Sequence, residues 1–522
     1  MRTWRDWPGA AIVTVMLASC GGGGGGGSSD ASRYTVGGIV RGLSGAGLVL
    51  EATGAGTVTV SSSGPFQFAA ALPDGSTYAI TVRAQPTNPS QICLISKATA
   101  SGTVVGANVT NIEVACSANA ARFMYVVNHG SNDISGYAID NATGALTPMS
   151  GSPFASGVGP TWLTIHPSGK FAYVSNGGAN TISVYSVDAT RGSLAPTSGL
   201  PTLVTPIATV QSPISPVEIE SSGTLAIVGN PNAPIVGDVQ PNNLAVYRID
   251  AASGMLTSAV DSPFTTDAAF PDFVASDRTG KFVYAFNYIN RVGMGGLSIA
   301  SFAINSNVGT LVAVNGSPFG PFKPYPQCYG LAPNGKFAYE GSIGSGLQSF
   351  ILDGTTGAVT AGGTITFAAT ACDIDPSSKF MYVSDGSVIA GYTVDSMSGA
   401  LRAIGGTPMT LSDPFTLLGV RIDPTGKFLY VTRKDAIYAF AIDSSNGELT
   451  TVRGSPFTVA SATDRLATRI AIDPSGRFAY VPSGNSSNVY ALSIDPFSGA
   501  LTPITGSPFT AGTSPWTISF LN

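Results

Sequence analysis

Short runs in which apolar and polar residues alternate with period two, separated by clusters of Gly, Pro, Asn, Asp and Ser, fill this chain and predict β-strands joined by tight turns. In residues 33–117 the runs are Tyr34–Val40, Gly47–Glu51, Thr57–Val60, Pro65–Phe68, Tyr78–Val82 and Asn111–Cys116, the pattern of a small β-sandwich. Beyond residue 120 the alternation becomes a repeat. Eight related segments recur at Arg122–Asn128, Lys170–Asn176, Thr224–Asn230, Lys281–Asn287, Lys336–Ser342, Lys379–Asp385, Lys427–Arg433 and Arg477–Ser483. Seven steps separate Phe123 from Phe478, so the period is about 51 residues, and a repeat of that length builds one supersecondary unit that buries its apolar faces only by stacking on its neighbours.

Each unit parses into four strands, seen in the second copy as strand A (Trp162–Ile165), strand B (Phe171–Ser175), strand C (Thr181–Val187) and strand D (from Leu194). The A–B connection reads His166-Pro167-Ser168-Gly169, Asp423-Pro424-Thr425-Gly426 or Asp473-Pro474-Ser475-Gly476, the residue order of a type I turn, which assigns these aspartates and His166 to turn geometry. Strand D ends in Ser-Pro-Phe in several copies (Ser152–Phe154, Ser262–Phe264, Ser317–Phe319, Ser455–Phe457, Ser507–Phe509), as suits an outer strand. The first copy lacks a strand A, whereas Pro515–Phe520 has the A pattern without a B strand after it. The expected fold is therefore all-β: a small β-sandwich (33–117) followed by an eight-bladed β-propeller (121–522) whose last strand completes the first blade.

The N-terminus adds a destination. Arg2 and Arg5, the apolar run Ala10–Leu17 and then Leu17-Ala18-Ser19-Cys20 read as an export signal, and Leu-Ala-Ser-Cys resembles the bacterial lipobox. That resemblance implies a signal in residues 1–20, lipid on Cys20, and attachment to a lipid membrane through it; residues 21–32, rich in Gly and Ser, serve as a tether. Gly21 after Cys20 points to the outer membrane of a bacterial envelope. Of the remaining cysteines, Cys93 and Cys116 are expected to bridge, and Cys328 and Cys372 form a second candidate pair; no spacing suggests a metal site. Charged residues are only 11% of the chain, with a net charge of −5, which excludes a basic nucleic-acid surface.

Asp-Pro-Ser-Gly-Lys-Phe-x-Tyr-Val-x-Asn repeats followed by Ile-Ser-Val-Tyr-type strands and Gly-x-Leu-Thr resemble the lactonase-like propeller family, which includes 6-phosphogluconolactonases and muconate-cycloisomerising relatives. The resemblance implies a propeller, lactone-ring hydrolysis and no obligatory cofactor. Gly64–Phe68 with Leu72–Val82 is similar to carboxypeptidase-regulatory-like domains. The chain departs from the family pattern of active members: no Pro-His pair occurs, and the residues after strand B are His129, Gly177, Pro231, Tyr288, Ile343, Gly386, Lys434 and Gly484, none of them glutamate.

Candidate site residues come from strand A and from the rim loops. Three places before the turn proline or its equivalent stand Ser519, Thr164, Glu218, Ala275, Gly330, Asp373, Arg421 and Ala471, small or charged against mostly apolar neighbours, which directs Glu218, Asp373 and Arg421 towards a central channel. As a hydrolase, an acid from Glu218 or Asp373 would assist water and Arg421 would stabilise developing negative charge. Long connections at Leu200–Pro216, Gly229–Asn243 and Asn287–Gly296 and the compositionally unusual Gly320–Gln327 place Tyr288, Arg291 and Tyr325, together with His129, as ligand-binding candidates on one rim. The functional expectation is an exported, lipid-anchored propeller that binds an unidentified small molecule or surface partner, with a sugar lactonase as the alternative.

Overall fold

The computed structural model describes residues 32–87, 91–118, 122–197, 202–203, 215–230, 243–266, 270–289, 296–320, 326–342, 346–411, 419–459 and 470–522, and all regular structure among them is strand. Cys20, Arg291 and Tyr325 lie outside the described residues, as do most of the long rim connections and the side chain of Tyr288.

Besides a two-stranded pair of Arg33–Tyr34 with Leu72–Pro73, the described residues of 33–118 form two four-stranded sheets around one core. One runs Gly64–Gln67, Val36–Arg41, Val109–Ala118, Gln91–Ile95, and the other Gly56–Val60, Leu48–Ala52, Thr77–Ala84, Ser101–Thr103. Alternate residues of both sheets, among them Val36, Leu48, Leu50, Phe68 and Ile112, turn inward and are wholly buried. Cys93 and Cys116 face each other across adjacent strands and are joined, with Cα atoms 3.9 Å apart.

From residue 122 onward the described residues form eight four- or five-stranded sheets in succession, each ordered A–B–C–D. The inner A strand of sheet one is Pro515–Leu521, paired antiparallel with Phe123–Asn128, so the two ends of this region share one sheet. Every sheet packs on the next through its own apolar cluster, and the circuit is complete: one with two, two with three, three with four, four with five, five with six, six with seven, seven with eight and eight with one. Because both faces of a B strand are covered, its residues read as a continuous buried run rather than an alternating one.

The repeated motif has a physical account in these contacts. Its tyrosine crosses to the neighbouring sheet and donates its hydroxyl to a glycine carbonyl in the C–D hairpin there: Tyr125 to Gly192 (2.6 Å), Tyr173 to Gly254 (2.9 Å), Tyr382 to Gly447 (2.6 Å), Tyr430 to Gly499 (3.0 Å) and, closing the ring, Tyr480 to Gly144 (2.8 Å). The turn aspartates do what their position implies, Asp375 accepting the backbone N–H groups of Ser377, Lys379 and Phe380. His166 holds the same kind of turn, one ring nitrogen 2.8 Å from the Ser168 hydroxyl and the other 2.7 Å from the Gly223 carbonyl of the next sheet.

The Ser-Pro-Phe step does not end strand D. It interrupts it: Leu146–Pro148 and Phe154–Ala155 both pair with Asp133–Ile139, on either side of the proline. The preceding serine hydroxyl accepts the strand C N–H left without an outer-strand carbonyl, Gly136 to Ser152 at 2.9 Å, Val246 to Ser262 at 2.9 Å and Ala439 to Ser455 at 3.0 Å.

Candidate functional site

On strand A, four of the eight residues three before the turn, Ser519, Thr164, Glu218 and Asp373, reach for the inner strand of the following sheet. Ser519 donates to the Leu163 carbonyl (2.6 Å) and Thr164 to that of Val217 (2.8 Å). Glu218 accepts the Ser276 N–H (2.9 Å) and the Ser276 hydroxyl. Asp373 accepts the Ile422 N–H at 2.8 Å and the N–H of its neighbour Ile374 at 3.0 Å. This is a belt of side-chain to backbone bonds between adjacent A strands, so the selection of small or charged residues at this position has a cohesive purpose as well as a chemical one.

Arg421 brings two of the predicted residues together. Its guanidinium stands 3.8 Å from the Asp373 carboxylate, more than half exposed (54%) while the carboxylate is mostly covered (21% exposed). Burial pushes the Asp373 carboxyl above its ordinary value, with Arg421 and the two backbone N–H groups opposing that rise. Glu218, in sheet three, is raised for the same first reason, with the Ser276 bonds opposing. Among the described residues its hydrogen-bond partner is Ser276, so it forms a separate pair with sheet four rather than a third member of the Arg421–Asp373 arrangement.

His129 is exposed at the start of the B–C hairpin of sheet one, beside Trp516, ring centroids 6.1 Å apart. Cys328 and Cys372 are joined, Cα atoms 5.8 Å apart, tying the inner strands of sheets five and six immediately beside Asp373. Among the described residues no group of three or more His, Cys, Asp or Glu side chains is placed to hold a metal ion. Among the same residues no helix is long and apolar enough to cross a membrane.

Sequence reasoning passed over Glu340. It lies on strand B of sheet five (Phe337–Ser342), 2% exposed, and among the described residues neither carboxylate oxygen has a hydrogen-bond partner. Burial raises its carboxyl from 4.5 to about 8. The signal was present in the alignment of copies, since the equivalent residues are Val126, Val174, Val228, Ala285, Val383, Val431 and Val481.

The family model "Lactonase, 7-bladed beta-propeller" matches residues 57–317, 349–454 and 416–520. No curated protein matches the chain. Among solved structures, the Pseudomonas aeruginosa periplasmic gluconolactonase is 20% identical, covering 67% of this chain and 98% of its own, with a TM-score of 0.47. A protein from Lactobacillus plantarum is 16% identical over 77% of this chain and 100% of its own, TM-score 0.47. A dihydro-heme d1 dehydrogenase is 12% identical over 76% of this chain and 75% of its own, TM-score 0.50. At such identities likeness extends to the fold and no further.

Proposed function

The chain belongs to the lactonase family of seven-bladed β-propellers, and from that premise we propose that it is an exported hydrolase of sugar lactones, built as an eight-bladed member of the family behind a small β-sandwich. The observation that carries the reading is the Arg421–Asp373 pair: an exposed guanidinium beside a mostly covered carboxylate at 3.8 Å. In this reading the guanidinium donates N–H groups to the carbonyl oxygen of the lactone and stabilises the negative charge that gathers there as water adds. Asp373, whose proton affinity is raised by burial, takes the proton of the attacking water; the ring C–O bond then breaks, the proton passes to the departing alkoxide, and a hydroxy acid leaves. Glu218 holds sheets three and four together.

The two cystine bridges fit an oxidising compartment. Lipid on Cys20 and attachment to the outer membrane are part of the proposal, and labelled fatty acid incorporated by the wild type but not by Cys20→Ser would support the anchor.

A second reading, a ligand-binding scaffold without turnover, is favoured by the bonds that Asp373 already accepts from Ile374 and Ile422 N–H groups. One experiment separates the two. The exported protein is assayed against phosphorylated and plain sugar lactones: hydrolysis abolished in Asp373→Asn and Arg421→Ala, with thermal stability nearly kept, is the expected result. No turnover of any lactone would favour the scaffold, and turnover indifferent to both substitutions would place the chemistry elsewhere.

A further inference from the structure

Sheet one presents an aromatic surface whose chemistry is separate from the pair in sheets six and seven. Trp516 stands at a register shift in strand A, where Val127 pairs with Thr517 but Asn128 pairs with Pro515, so Trp516 is the extra residue of a β-bulge. A bulge re-aims a side chain out of the regular alternation. Here it sets the indole outward, 51% exposed, between two buried neighbours, Pro515 and Thr517. Such exposure is unusual for a tryptophan without a task, since burying its ring is strongly favourable.

The backbone beneath is braced rather than loose. Thr517 donates to the Thr161 carbonyl of sheet two at 2.8 Å. His129 and Gly130 N–H groups donate to the Ser514 and Thr513 carbonyls, both at 3.0 Å. The Gly159 N–H donates to the Asn132 side chain at 2.7 Å, and Gly177 N–H to the Gly159 carbonyl at 2.8 Å. On this frame the His129 imidazole leans at 43° to the indole, forming an open angle of two rings. Glycine at 159 keeps the floor low: a Cβ built there would lie 3.4 Å from His129 Nε2. The exposed Thr513 and Ser514, just before Trp516 in the chain, bring their hydroxyls close to Gly130, 2.9 and 3.0 Å from where a Cβ would stand there.

We propose that the Trp516–His129 angle is a carbohydrate-binding subsite that takes one pyranose ring of a neutral glycan. The apolar C–H face of a pyranose matches a half-covered indole, and its rim of hydroxyls matches an imidazole and two side-chain hydroxyls held in place by the braced backbone. A protein partner is disfavoured by size, since a stable protein interface needs roughly 800 Å² from each side and two rings with a few small neighbours fall well short. An organic cation would also seat over an indole, and a cationic probe separates that case. The subsite is independent of whether the chain hydrolyses lactones.

The test is calorimetric titration of the full chain in detergent with tetrasaccharides of glucose and of N-acetylglucosamine, with choline as the cationic probe. The expected result is saturable binding of at least one tetrasaccharide, weakened tenfold or more in Trp516→Ala, three- to tenfold in His129→Ala, and kept within about threefold in Trp516→Tyr, which preserves a ring for stacking. Arg421→Ala should leave the glycan isotherm unchanged, and Trp516→Ala should leave any lactone turnover unchanged, so the two sites fail separately. Absence of saturable binding by either tetrasaccharide, equal binding by Trp516→Ala, or binding of choline alone would overturn the proposal. Equal weakening in Trp516→Tyr and Trp516→Ala would also overturn it, because stacking would not then be the source of affinity.

Discussion

Replacing Gly144 by alanine should loosen the ring where its ends meet. Gly144 sits in the C–D hairpin of sheet one at φ +75°, receives the Tyr480 hydroxyl from sheet eight on its carbonyl, and has the Phe478 ring where a side chain would begin. A Cβ there would fall 2.4 Å from Phe478 Cδ1 and 2.7 Å from Ile504 Cδ1, two buried side chains with little room to yield. Two costs then add: about 1–2 kcal/mol for an L-residue held in left-handed backbone, and about 1–3 kcal/mol for forcing atoms into a packed core. Gly335 is the natural control, at φ +72° with nothing within 4 Å of its would-be Cβ, so Gly335→Ala incurs the first cost alone. Urea unfolding followed by circular dichroism should show Gly144→Ala losing about 2–5 kcal/mol and Gly335→Ala about 1–2 kcal/mol. Equal losses would mean that the close approach of Phe478 to the hairpin contributes nothing, and the account of the glycine as a docking point would be wrong.

Three further outcomes follow from the same contacts. Glu340 binds a proton more tightly folded (about 8) than at its ordinary 4.5, so its own contribution to folding stability is fully present below 4.5 and is lost as pH rises between those values, by on the order of 4–5 kcal/mol in all; Glu340→Gln should remove that component of the pH slope, and an unchanged slope in the pH series of unfolding midpoints would show that the carboxyl finds a partner. Tyr430→Phe removes the hydroxyl bonded to the Gly499 carbonyl at 3.0 Å and should cost about 1 kcal/mol in urea, against no loss if water replaces it freely. Cys328→Ser with Cys372→Ser, 44 residues apart, should lower stability by about 2–4 kcal/mol under oxidising conditions and make it indifferent to reductant, as measured by paired melts.

The ring was legible because its units repeat: Phe, Tyr and the turn aspartate recur at fixed spacing, and each recurrence has one physical job. Strand A was read less completely. Alternation separates its two faces, yet both address neighbouring sheets, so Glu218 and Asp373 could be found by composition while their bonds to Ser276 and Ile422 could not. Pairing of Arg421 with Asp373 needed the sheets to be placed side by side, since 48 residues separate them in the chain. Glu340 was hidden by expectation, a charged residue inside a run treated as a packing motif. Trp516 was hidden by the bulge, which no period-two pattern registers.

The Tyr-to-Gly grip is directional: wherever it occurs, one sheet offers its ring side to the hairpin side of its neighbour, and the same pair of unlike surfaces meets at Tyr125–Gly192, Tyr382–Gly447 and Tyr480–Gly144. Head-to-tail contacts of this kind set no number of units by themselves; they close only when the rotation per step divides a full turn, and otherwise run on as an open spiral. Strand Pro515–Leu521, borrowed by the first sheet from the far end of the region, acts as the clasp that selects closure over continuation. A family described by seven blades can therefore hold a ring of eight sheets without altering any single joint, because a small change of angle shared among all of them makes room for one more copy.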